Sequence, residues 1–115
     1  MSNLAVSALS YALDGLNLAQ NVTSNNVANQ DTPGFTASTA NFQTSLQQAL
    51  GSSADSATAT ASVTASTAPA GSNGNNVSLS TELTNLENYA LSFSADSTLL
   101  TDQFKLISGS MGGAF

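Results

Sequence analysis

The side chains able to do acid–base or metal chemistry in this 115-residue chain are Asp14, Asp31, Asp55, Glu82, Glu87, Asp96 and Asp102, with a single cation, Lys105. Histidine, cysteine and arginine are absent. That removes the commonest general base and the commonest metal ligands. Paired carboxylates can share acid–base work when they lie on one face. Glu82 and Glu87 are five apart, and Asp96 and Asp102 six apart, spacings that do not share a helix face well. All four read as decoration on the solvated side of a helix. The run "GSNGNN", residues 71–76, is glycine-rich but carries no lysine and follows no strand, so it reads as linker and not as a phosphate loop. "NVT" at Asn21 and "NVS" at Asn76 fit a glycosylation pattern that an Asn/Ser/Thr-rich chain meets by chance. The expectation is no catalytic residue, no cofactor and no metal.

The formal net charge of −6 excludes further classes. Nucleic-acid binding rests on Lys and Arg against phosphate, and anionic membrane surfaces repel the same acidic chain. No apolar run approaches the roughly 20 residues of a membrane helix, so no direct membrane insertion is expected. "MSNLAVSALSYALDG" has no positive n-region, so no cleaved Sec-type signal is expected. Charged residues are only 7%, which suits contacts made by hydrogen bonds and small apolar groups, as between repeated subunits. A compositional bias of the host accounts for it equally well.

What must position any contact surface is helical. In the C-terminal part, Leu79, Leu86, Phe93, Leu100 and Ile107 recur every seven residues, and Leu83, Ala90, Ser97, Phe104 and Met111 form a second series offset by four. That alternating spacing is the signature of a helix packed lengthwise on another. Ser78 or Ser80 can cap its start, Glu82 favours its positive end, and Lys105 lies toward the other end. The N-terminal part repeats the pattern more weakly through Val6, Leu9, Leu13, Leu16, Gln20, Thr23 and Val27. The helix ends before Thr32, because Pro33 disfavours the α region for its predecessor. Phe42, Leu46, Ala49 and Leu50 predict a short, marginal helix. Residues 51–76 hold one β-branched aliphatic, Val63, and no aromatic, so they predict a flexible Ser/Thr/Ala/Gly linker. "TATASVTAS" within it could pair as a strand on a partner.

The expected fold class is therefore all-α. N- and C-terminal helices pair as a coiled coil around a long flexible low-complexity middle. The segments are a helix over 1–31, a turn and short helix over 32–50, the linker 51–76, the heptad helix 77–111 and a tail 112–115. The seam is expected to use Leu9, Leu13 and Leu16 against Leu79, Leu83, Leu86, Phe93, Leu100, Phe104 and Ile107. Two helices bury one seam, and the remaining apolar tracks point to assembly with other copies or relatives.

One stretch is over-specified for a linker or a helix end, "SNNVANQDTPGFTA", residues 24–37. Pro33 suits the second and Gly34 the third position of a type II turn. Asn25, Asn26 and Asn29 are poor helix formers that can cap a helix end or bond backbone on a neighbour. Asn25, Asn26, Val27, Ala28, Asn29, Thr32, Pro33, Gly34 and Phe35 resemble, in place, the signature of flagellar rod and hook proteins, the axial proteins of the bacterial flagellum. "GNNVSLSTELTNLENYALSFSADSTLLTDQFKLI" is similar to the end of proximal rod proteins of the FlgB type, and the resemblance spans roughly residues 1–50 and 74–111. The sister FlgC type shares the first motif but usually ends differently. The middle lacks the basic and histidine residues usual in the family.

The resemblance implies a structural subunit that is exported unfolded through the flagellar type III apparatus, without a cleaved signal peptide. It implies assembly as homo- and hetero-oligomer with other rod subunits, and contact with the adaptor and MS-ring side of the basal body. The rod crosses the periplasmic space and transmits torque. The nine motif residues would then be a subunit interface. A generic coiled-coil interaction module is the alternative from another class.

Overall fold

Pro33 and the asparagines before it set where the first helix stops, and Ser78, the cap residue, marks where the second begins. The computed structural model describes residues 2–43 and 61–112. Four elements follow in order: α1 (Ser2–Ala28), β1 (Ser38–Asn41), β2 (Ser62–Ala65) and α2 (Leu79–Gly112). The two helices run antiparallel. Asn26 near the end of α1 meets Glu82 in the first turn of α2, and Tyr89 packs against the cluster that Leu16 and Ala19, earlier in α1, form with Phe42.

The structure is mostly helical, and it departs from the all-helical expectation in one respect. Ser38–Asn41 and Ser62–Ala65 form an antiparallel two-stranded sheet, with Ser38 opposite Ala65 and Asn41 opposite Ser62. Residues 61–76, read from sequence as flexible linker, supply one of its strands and a turned segment that packs back on the end of α1. The physical reason is that backbone pairing does not need apolar side chains. Thr and Val favour the pleat, and Ser66 N–H completes the ladder to the Ala37 carbonyl at 2.8 Å. The pairing is within the chain and not on a partner. Residues 44–50 of the expected short helix, 51–60 of the linker and 113–115 of the tail lie outside the described residues.

The threonines spread along α2 are compatible with helix where their hydroxyls are satisfied locally. Thr84, Thr98 and Thr101 each donate to the carbonyl four residues back, at 2.9 to 3.1 Å. Ser78 occupies the cap position, its carbonyl accepting the first intrahelical bond from Glu82 N–H. Lys105 sits about two turns before the helix end, and the last turn carries no cation.

The apolar core is small. Leu16, Ala19 and Phe42 form it, with Tyr11, Ala40, Ala61 and Tyr89 packed around. Phe42 enters through Gly15, where a Cβ would overlap its ring. Gly in mid-helix costs about 1 kcal/mol against Ala. Here it lets the strand side approach the helix backbone, and Tyr11 Oη donates to the Phe42 carbonyl at 3.3 Å.

Candidate assembly surface

The asparagines of "SNNVANQDTPGF" have separate duties. Asn26 is 1% exposed and bonds in three directions. Its Nδ2 donates to the Ser38 carbonyl at 2.8 Å and to Glu82 Oε1 at 3.0 Å, and its Oδ1 accepts from Ser38 N–H at 3.0 Å. The side-chain amide thus stands where a neighbouring strand's peptide group would, closing one edge of the sheet at Ser38. Asn29 is local: its Nδ2 donates to the Asn25 carbonyl at 2.8 Å, and its Oδ1 accepts from Thr32 Oγ1 at 3.1 Å. These are the orphan carbonyls and turn groups a helix end leaves. Asn26 is buried inside its own chain and leaves no surface for a neighbour.

The Thr-Pro-Gly turn has the geometry its sequence requires. Gly34 has φ +74°, and Phe35 N–H returns to the Thr32 carbonyl at 3.2 Å. The turn is held from the far side of the sequence by residues that sequence reasoning left in the linker. Asn75 Nδ2 donates to the carbonyls of Asn29 and Thr32, each at 2.8 Å. Asn76 Oδ1 accepts from Ala37 N–H at 2.7 Å, and Gly34 N–H donates to the Asn73 carbonyl at 2.9 Å. Gly74, at φ +79°, lies against Gly34, where a Cβ would come within 3.3 Å of the Gly34 Cα. The signal for this second half was present in "GNNV", which directly precedes the α2 cap at Ser78.

Glu82 corrects another expectation. It is 8% exposed and not on a solvated face. Burial pushes its carboxyl above the ordinary range, and the bond from Asn26 partly offsets this. Burial also raises the Tyr89 phenol, with the Glu82 charge adding to the effect. Glu87 and Asp102 are exposed and Asp96 is half-buried. Among the described residues no group of acidic side chains is placed to hold a metal, and no helix is long and apolar enough to cross a membrane.

The helix–helix contact within the chain is narrower than the heptads allow. On α1, Leu16, Ala19, Thr23 and Asn26 are buried, while Leu9 and Leu13 are half-buried. On α2, Leu86, Leu100 and Ile107 are half-buried, and Glu82, Tyr89, Asp96 and Gln103 flank them on the covered side. The other flank faces outward: Leu79 is 40%, Leu83 50% and Phe104 54% exposed, with Phe93 at the margin. Leu91, Leu99 and Leu106 are also exposed elsewhere on α2. The Asn26–Glu82 bond sets this roll, because turning α2 to bury Leu83 would move Glu82 off its partner. Of the motif residues, Asn25, Ala28, Thr32, Pro33 and Gly34 are exposed, and Val27, Asn29 and Phe35 are half-buried. The described surface therefore carries both a polar turn after α1 and an uncovered apolar flank of α2.

Residues 3–36 match a family model described as flagella basal body rod protein. The match covers α1 and the Thr-Pro-Gly turn. That stretch of the chain is similar to the flagella basal body rod protein family. No curated protein matches the chain.

Proposed function

We propose that the chain is a structural subunit of the flagellar basal-body rod, of the proximal, FlgB type. The carrying observation is the coincidence of the rod-family match over residues 3–36 with a helix pair whose second member leaves an apolar flank uncovered. The terminal helices assemble as coiled-coil partners between subunits. Leu79, Leu83, Phe93 and Phe104 supply the α2 seam, beside the half-buried Leu86, Leu100 and Ile107. Leu9 and Leu13 belong to the α1 side, and Leu16, buried in the chain's own core, backs them from within. The exposed motif residues Asn25, Ala28, Thr32, Pro33 and Gly34 are the polar contact with a neighbouring subunit. Val27, Asn29 and Phe35 support it, and Asn26 fixes its shape from inside.

On this reading the partners are other rod subunits, the adaptor and MS-ring side of the basal body and the type III export apparatus. The place of work is the rod in the periplasmic space, reached without a cleaved signal. "GNNVSLSTEL" and the missing arginine favour the FlgB over the FlgC type. Deleting the gene tests the proposal. Non-motile cells with basal bodies lacking the rod are expected, and motile cells with normal basal bodies would sink it.

A further inference from the structure

One ionisable group is buried where three elements meet. Glu82 begins α2, touches Asn26 of α1, and through that amide is joined to Ser38 of β1. Asn26 is 1% and Glu82 8% exposed, so water reaches neither freely. Among the described residues no opposite charge answers the carboxylate. α1 and the turn after it carry no ionisable side chain between Asp14 and Asp31, both exposed, and β1 carries none. On α2 the next ionisable groups are Glu87, five residues on, exposed and of the same sign, and Tyr89, two turns on, whose phenol feels the Glu82 charge. Lys105 lies twenty-three residues along the helix, about 35 Å away at 1.5 Å per residue. A buried carboxylate met by one amide donor is held at a cost that a single proton removes.

We propose that Glu82 is a proton-linked latch: the first turn of α2 docks on Asn26 and β1 more firmly when Glu82 takes up a proton. The neutral acid keeps an oxygen that accepts from Asn26 and sheds the penalty of a dry charge. The direction follows from burial. Glu82 in the folded chain sits above its ordinary value of 4.5, so the folded state binds the proton first. The gain is complete below about pH 4.5 and is lost as pH rises through the folded-state value. The inference concerns the fold of one chain and stands apart from any role in a rod.

The chain holds only two glutamates, Glu82 and Glu87, which makes the test direct. The full-length protein, carrying 13C-labelled glutamate, is titrated by NMR, and urea unfolding is followed by circular dichroism from pH 7 to 4.5 for the wild type, Glu82→Gln and Glu87→Gln. One carboxyl signal is expected to titrate at higher pH than the other and to vanish in Glu82→Gln. The folding constant of the wild type, divided by that of Glu82→Gln, should rise as pH falls, by at most about tenfold per unit. Glu87→Gln should track the wild type. Two carboxyl signals that titrate together, or a Glu82→Gln profile parallel to the wild type, would overturn the latch. If Glu82→Gln fails to fold, the wild-type NMR titration still decides.

Discussion

At the scale of single residues, the fold turns on amides and not on charges. Asn26 replaces a strand's peptide group, Asn75 answers the carbonyls left by the end of α1, and Asn76 holds Ala37. Each has donors and an acceptor in one rigid plane, which Ser, Thr or an acid cannot reproduce. Asn26→Ala leaves Ser38 N–H, its carbonyl and Glu82 without their partner. At roughly 1–3 kcal/mol for each buried group left unpaired, the loss should be about 3 kcal/mol or more, read from the urea dependence of helical ellipticity. Asn29→Ala, with only local bonds, should cost about 1 kcal/mol or less. An equal effect of the two would contradict the division of roles. From sequence, capping and subunit contact were both open for these residues. Asn29 caps, and Asn26 does neither, because its partners are forty and more residues apart in the chain or arise from a strand that periodicity could not show.

At the scale of elements, the roll of α2 decides which leucines are inside. The seven-residue recurrence of Leu86, Phe93, Leu100 and Ile107 was legible, as was the end of α1 ahead of Pro33. The companion track was not legible. Hydropathy ranks Leu83 and Phe104 above Glu82 and Tyr89, yet α1 offers a narrow groove of Leu16, Ala19, Thr23 and Asn26, and a hydrogen bond at its end chooses the polar track. The strands were also hidden, since Ser/Thr/Ala composition speaks for disorder until a backbone partner is supplied. A substitution pair separates the two faces. Leu83→Asp should abolish assembly while keeping the helix content that the wild type has in the unassembled chain. Leu86→Asp should reduce both, because a charge would enter the half-buried contact. Sedimentation and circular dichroism on the same samples check this. Equal loss of helix in both variants would place Leu83 inside.

For the whole molecule, shape and core size tell the same story. The radius of gyration is 17.7 Å, against about 13 Å for a compact domain of this length. The buried apolar residues among those described are Leu16, Ala19, Ala37 and Phe42. Two large side chains at roughly 1.5–3 kcal/mol each do little against the ordering entropy of two long helices. The isolated chain should therefore hold its fold only weakly at low concentration and gain helix and stability as it assembles. Circular dichroism over a hundredfold dilution series reads this. A helical signal that melts cooperatively and does not depend on concentration would refute it.

Gly34 and Asn73 are joined at 2.9 Å, and Gly74 lies against Gly34. The chain between them leaves and returns through a neck, so its two ends are fixed whatever length lies beyond. A Cβ at Gly74 would meet the Gly34 Cα in a backbone conformation that L residues rarely adopt, so Gly74→Ala should cost about 1 kcal/mol or more, read from urea unfolding. The two glycines thus clamp the turn after α1 to the segment that leads into α2, so that strain placed on either one reaches the other.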